Sequence, residues 1–428
     1  MKIIPQLFFL NFLLIFLPFD ISAQQWEVKR YTPSQIEALF LEQNLQLIAE
    51  KMNISLADAE IAQAKLWDNP ELTVGSVNFW GSDRQRKELE MGSFPKNAQF
   101  SVELNQIIRT SRKRSKLVKQ TEVSREMAIE EFEEVLRGLK AELRKLIGEA
   151  AYLQSYREVL STQQKSLEQL IAAYKKQVAQ GNIAKTELLR LQSGLLELEK
   201  EMNETEVDFN AQQKDLKSLL NISPFIRIEI EPGGENMPDP DPMRLASLFE
   251  IAFESRPDLK RSELQTHFYE KSLIYEKSQR IPDITLNVSY DRYGGIWKDF
   301  AGVGFSFDLP FLNRNQGNIK AARIGLYQSR HLVQQQQNTV LHEITEAFAN
   351  YAQAYNFYQK IADNELLTEL DKMFELYTKN LLNKNISMLE YIDFMESYRS
   401  NKQTLLTARK NRYVSFSELQ YATGSDIQ

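Results

Sequence analysis

Phe100-Ser101-Val102-Glu103-Leu104-Asn105 alternates apolar and polar side chains, the period of a strand with two unlike faces. A basic cluster, Arg109 to Lys119, follows it, and no proline then occurs before Pro224. Beyond the cluster, Phe132, Leu136, Leu139, Leu143, Leu146, Ala150, Leu153, Tyr156, Leu160, Gln163, Leu167, Leu170 and Tyr174 succeed one another at spacings of four and three. That spacing is the seam of a coiled coil, narrower than the stripe of a globular-core helix. A helix from Arg112 to Val178 would run about 100 Å, wider than any compact domain. Gln180-Gly181-Asn182 interrupts the seam with residues that accept the left-handed conformation. It resumes at Leu188, Leu191, Leu195, Leu198, Met202, Thr205, Phe209, Gln212, Leu216 and Leu219. The prediction is a long helical hairpin over about 112–220, whose exposed seam calls for further helices around it.

Working outward, the chain has 428 residues, 43% hydrophobic and 26% charged, with a net charge of -6. That is a folded composition, neither disordered nor a bundle of membrane-spanning helices. The acidic balance gives nucleic-acid binding no support, the basic run being local. Lys2, the apolar run Ile3 to Phe19 and Ile21-Ser22-Ala23 read as a signal peptide, residues 1–23. A membrane anchor is the lesser reading, because Pro5, Asn11 and Pro18 interrupt a run already short for a span. With no cysteine, the exported chain has neither disulfides nor the acylated cysteine of a lipoprotein.

Before the first strand, Thr32 and Ser34 are candidate caps for a helix over Gln35 to Lys65, which Asn69-Pro70 ends. Strands are expected at about 70–80, with a bulge near Gly75, and at about 98–108, joined by a polar loop over 81–96. Residues 221–242 hold five of the thirteen prolines and a Gly-Gly pair, a linker with one short strand at Ile226 to Ile230. A helix from Pro242 to Gln279, bent at Pro257, precedes strands at about 283–292 and 301–310. A second helical hairpin over about 316–421 breaks near Asn383-Lys384-Asn385.

The two halves, 24–220 and 243–428, repeat each other. At an offset of 212, Asn44-Leu45-Gln46-Leu47 falls on Arg256-Pro257-Asp258-Leu259. At 203, Tyr174, Asn182-Ile183 and Glu187 fall on Tyr377, Asn385-Ile386 and Glu390. Each half is helix, β-hairpin, long helix, tight turn, helix. Four amphipathic strands cannot lie open in water or lipid and are too few to close, so several chains must pool them. The expected object is a membrane β-barrel continued by an α-helical duct.

These residues resemble the outer membrane factor (TolC-like) family of efflux and secretion ducts over essentially the whole mature chain. The motifs are Asn69-Pro70, Arg256-Pro257-Asp258-Leu259, Phe307-Asp308-Leu309-Pro310 with Asn313-Arg314-Asn315-Gln316-Gly317, and Asn385-Ile386-Ser387 with Leu389-Glu390-Tyr391-Ile392-Asp393-Phe394. The last two are most similar to the heavy-metal branch (CzcC- or CusC-like) that serves resistance-nodulation-division (RND) pumps. The resemblance implies a mainly α fold with a small transmembrane β part, a homotrimer with a twelve-stranded barrel, and an outer membrane location. It implies a periplasmic adaptor and an inner-membrane RND transporter as partners, and heavy-metal cations as cargo. Drug efflux and type I protein secretion are the alternatives; a periplasmic adaptor or a structural coiled coil fits less well.

By the same resemblance, acidic rings at the second tip would close the periplasmic end. Glu390 and Asp393 stand at the matching positions, and Glu396 shares roughly their face. Glu187 is the first-half counterpart of Glu390, whereas Arg190 replaces Asp393; either could latch onto the other tip. Gly181, Asn182, Lys384 and Asn385 are the adaptor-docking turns, with Asn385 expected to be left-handed in place of Lys384. His267, His331 and His342 are far apart in sequence, and no metal, cofactor or enzymatic motif appears.

Overall fold

The computed structural model describes residues 27–75, 100–231, 237–292, 296–297, 299–363 and 365–427, with the side chains of 366–368, Leu367 among them, left aside. The expected signal peptide and the loop 81–96 lie outside the described residues. In chain order the elements are β1 (Glu27–Tyr31), α1 (Pro33–Gln43), α2 (Leu45–Lys65), β2 (Glu71–Gly75), β3 (Phe100–Ile108), α3 (Lys113–Ala179), α4 (Lys185–Leu220) and β4 (Ile226–Ile230). The second half continues with α5 (Leu245–Ser255), α6 (Pro257–Ser278), β5 (Ile284–Arg292), β6 (Asp299–Ser306), α7 (Gln316–Ala362), α8 (Glu365–Leu382) and α9 (Met388–Thr423).

β2, β3, β5 and β6 form one antiparallel sheet in that order. Its register aligns Leu72, Leu104, Val288 and Val303 in one row and Val74, Val102, Tyr290 and Ala301 in the next. The opposite face carries Thr73, Glu103, Ser289 and Gly302, then Glu71, Asn105, Asn287 and Gly304. On that face the Asn287 amide donates to Asn105 Oδ1 at 2.8 Å and to Glu103. A strand period of two thus sorts the sheet into an apolar and a polar side. The apolar side is bare, with Leu72 at 64% and Val303 at 84% exposure. β2 and β6 are the outer strands, so each leaves one edge unpaired within the chain.

Below the sheet, α2, α3, α6 and α7 pack side by side in the order of the strands they carry. Further along, α4 packs on α3, and α9 packs on α3, α7 and α8. The 67 residues of α3 make it about 100 Å long. Between the two levels, α1, α5 and the parallel pair β1–β4 form a belt. Two equivalent cores fill it. Ile36, Phe40 and Leu216 in one correspond to Leu248, Ala252 and Leu419 in the other.

Several expected boundaries move. The helix over Gln35 to Lys65 is divided at Asn44, which leaves helical geometry (φ -66°, ψ 115°) and accepts from Leu47 N at 2.8 Å, starting α2 afresh. Thr32, with Gln35, makes the capping box at the start of α1, and Ser34 lies within that helix. No bulge occurs at Gly75, which pairs in register with Ser101; residues 76–80 lie outside the described set. The strand expected at 301–310 runs Asp299–Ser306. Ser306 faces Thr285, and β5 has only Ile284 before it, so the partner strand is exhausted before Pro310. The Asp283 carboxylate accepts instead from Thr110 N at 2.8 Å and pairs with Lys113. The second hairpin has an unexpected additional break, α7 ending at Ala362 and α8 beginning at Glu365.

Candidate functional site

The belt shows why the repeated motif exists. Asn44 Nδ2 donates to the Leu219 carbonyl at 2.7 Å, at the end of α4. Arg256, its counterpart, donates from a guanidinium nitrogen to the Ala422 carbonyl at 2.9 Å, at the end of α9. The acceptors are themselves equivalent, 203 residues apart. Each side chain satisfies a carbonyl that the helix cannot, and a cation does so with the favourable sign for a helix C-terminus. Both helices then leave through a left-handed residue, Asn221 (φ 49°) and Gly424 (φ 71°). At Gly424 no side chain fits, because a Cβ would lie 2.9 Å from Arg256 Cγ and 3.1 Å from its Cα.

At the far end, each hairpin turns through one backbone pattern. Asn182 N donates to the Gln177 carbonyl at 2.9 Å and Asn385 N to the Asn380 carbonyl at 2.8 Å, with Gly181 N and Lys384 N donating three residues back, to the Val178 and Leu381 carbonyls. The left-handed residue is Gly181 (φ 77°) in the first tip and Lys384 (φ 62°) in the second. This corrects the expectation that Asn385 takes that role. The bond five residues back fixes which position must have positive φ, whatever side chain stands there. Lys384 Nζ also donates to the Asn182 carbonyl at 3.4 Å, so the two tips lie side by side. Gly181→Lys, which copies the second tip, is expected to weaken the first by about 1 kcal/mol. Hydrogen exchange in the first turn of α4 would then quicken about fivefold, and unchanged exchange would show that the turn tolerates a side chain.

Ser387 caps α9 in a reciprocal box. Its backbone N and hydroxyl donate to Glu390 Oε2 at 2.7 and 2.9 Å, while Glu390 N donates to Ser387 Oγ at 3.3 Å. The backbone bond, then the hydroxyl bond, holds the Glu390 carboxyl below its ordinary range. Glu390 is therefore occupied at its own helix start. Asp393 and Glu396 are exposed and make no ion pair among the described residues. At the first tip Ala184 offers no capping side chain, and Glu187 occupies the place of Glu390. Glu187 is half-buried near Tyr174, whose hydroxyl is pushed up by burial and then by the Glu187 charge. Arg190 is exposed, and within the chain neither Glu187 nor Arg190 forms an ion pair to the second hairpin among the described residues.

Other residues join the hairpins. Gln163 Nε2 donates to the Met395 carbonyl at 3.1 Å, and Ser166 Oγ lies 3.0 Å from Thr378 Oγ1. Arg399 pairs with Glu201 at 3.1 Å, and Tyr156 donates its hydroxyl to the same Glu201. These links cross an apolar zip of Leu170, Tyr174, Leu191, Phe374, Tyr391 and Tyr398. Gln163 is a polar residue in an otherwise apolar seam and was visible as such; Glu201 and Arg399 carry no sequence signal. Among the described residues no group of three or more His, Cys, Asp or Glu could hold a metal ion.

Residues 38–221 match the sequence profile of the family described as "Outer membrane efflux protein". No curated protein matches the chain's sequence. Solved structures do share its fold. CusC is 16% identical with a TM-score of 0.72, over 92% of this chain and 92% of that one. The CmeC outer membrane channel of Campylobacter jejuni is 13% identical with a TM-score of 0.73, over 92% and 85%. The open-state MtrE outer membrane channel of Neisseria gonorrhoeae is 14% identical with a TM-score of 0.66, over 92% and 89%. At these identities the likeness is one of fold, and it extends over both repeats. Channels of this family work as trimers in tripartite efflux systems. Over its first repeat the chain thus matches the outer membrane efflux protein profile, and throughout it has the mainly helical, twice-repeated fold of these channels.

Proposed function

We propose that the chain forms a homotrimeric export duct for heavy-metal cations, receiving them from an RND transporter through a periplasmic adaptor. The observation that carries the cargo is the pair of exposed carboxylates at the second tip, Asp393 and Glu396, which make no ion pair among the described residues. Threefold symmetry would gather six of them, with the three Glu390 carboxylates behind, into rings that favour cations. The sheet supports the trimer, because its four strands leave one free edge on each side. Adding the next chain's β2 to β6 continues the sheet, and three chains give the twelve strands that close it. The side-by-side turns at Gly181, Asn182, Lys384 and Asn385 are the docking surface for the adaptor. Glu187 and Arg190 face between-chain partners in this reading, since among the described residues no ion pair joins them to the second hairpin within the chain.

Single-channel conductance of the purified trimer in planar bilayers tests the gate. Asp393→Ala/Glu396→Ala is expected to raise conductance severalfold and to abolish cation preference. Glu390→Ala is expected to act mainly on the tip's stability, through the lost cap, and to leave the conductance close to that of wild type. An unchanged, charge-indifferent conductance in the double variant would remove the acidic gate and favour drug or protein cargo.

A further inference from the structure

A groove of about 550 Å3 opens where the second β-hairpin passes into α7, lined by Arg280, Arg314, Lys320 and Arg323 with Phe311 and Leu312. No carboxylate lines it, and none of the four cations forms an ion pair among the described residues. Arg314 Nε is used only to fix the turn, donating to the Pro310 carbonyl at 3.1 Å. Phe311 is 71% exposed and Leu312 94%. These two end an apolar track that descends from the sheet. Phe305 lies on the apolar face, opposite Leu286, and stacks on Phe307 with centroids 6.4 Å apart. Leu309 and Phe311 follow at the same two-residue spacing, exposed like those above them.

The surface thus changes from lipid-facing apolar residues to a cationic groove within one short turn. Apolar side chains leading to cations are the two halves of a site for an anionic lipid, acyl chains above and phosphate below. We propose that this groove binds the phosphate of an anionic phospholipid in the periplasmic leaflet, with Phe311 and Leu312 set among its acyl chains. The inference rests on the outer membrane placement of the sheet. The competing occupant is a carboxylate of the neighbouring chain.

The full-length trimer in detergent, exposed to phosphatidylglycerol or phosphatidylcholine and read by native mass spectrometry, tests this directly. Wild type is expected to retain phosphatidylglycerol preferentially. Arg280→Gln/Arg314→Gln/Arg323→Gln is expected to lower that retention about a hundredfold, roughly fivefold per charge. The matching triple lysine variant should retain it. Equal retention of the two lipids, or a glutamine variant that binds as wild type does, overturns the proposal. So does displacement by millimolar inorganic phosphate, which would make this a free-anion site. Dissociation of the glutamine trimer with per-chain lipid binding intact would assign the cations to the neighbouring chain and also overturns it. If that variant does not assemble, the salt dependence of wild-type binding decides, because phosphate capture must weaken as ionic strength rises. Failure of the membrane placement itself would look different, as a wild-type chain that forms no barrel in detergent.

Discussion

Arg256→Gln is expected to destabilise the chain by about 3–5 kcal/mol, the cost of stranding buried charge. The guanidinium is 2% exposed and donates to Asp258 Oδ1 at 3.0 Å and to the Ala422 carbonyl at 2.9 Å, and it pairs with Glu343 at 2.7 Å. Asp258 receives further support from Gln336 at 2.9 Å and Arg137 at 3.4 Å. Removing Arg256 leaves a buried carboxylate and a helix end both short of donors. Chemical denaturation in detergent is the measurement, with the second repeat expected to open first. Asn44→Ala removes the equivalent bond in the first repeat, where the donor carries no charge, and should cost only about 1–2 kcal/mol. Equal losses at the two positions would show that charge burial is not the source of the difference.

The same cluster sets an acid limit. Burial pushes the Asp258 carboxyl up, but Arg256 and Arg137 together bring it below its ordinary value. Asp426 is likewise held down by Lys140 and Arg144 against its own burial. A depressed carboxylate contributes fully above its unfolded value, about pH 4, and loses that contribution as pH falls through the folded one. Stability should therefore drop below about pH 4, and less steeply in Arg256→Gln, where Asp258 has lost its main partner.

Val303→Arg is expected to cost about 2–4 kcal/mol in each chain, three times over in the proposed trimer. Val303 stands on the apolar face, opposite Val288 and 84% exposed in the single chain. If that face meets lipid, a charge there must stay in hydrocarbon or pull the strand out of place. Thr73→Arg places the same charge on the polar face, in the row of Glu103, and should leave insertion intact while reducing cation preference. The folded, heat-modifiable fraction after refolding into liposomes reads both variants. Insertion lost in Thr73→Arg and kept in Val303→Arg would reverse the assignment of the faces.

Much of the fold was legible because long-range geometry here reduces to period. The three-and-four spacing from Phe132 to Tyr174 needs no tertiary partner to declare a helix, and α3 runs unbroken as Lys113–Ala179. Alternation placed the strands, and offsets of 212 and 203 placed the repeat. The proposed gate is only half legible. Glu390 reads as a ring carboxylate, yet its Oε2 accepts from the backbone N and hydroxyl of Ser387, a use three residues away that spacing does not separate from a lumenal one. Glu201 and Arg399 meet across 198 positions, and no local pattern foretells it.

By itself the sequence determined the periodic matters: two repeats, amphipathic strands, long seams and the places where they turn. Those follow from backbone geometry and side-chain polarity acting over a few residues. Only the tertiary structure decided that Asn44 divides a helix, that Lys384 takes the left-handed position, that β6 stops at Ser306, and that β1 pairs with β4. Each depends on a hydrogen-bond partner distant in the chain or on the count of bonds that a turn must satisfy, and neither quantity is carried by the identity of the residue concerned.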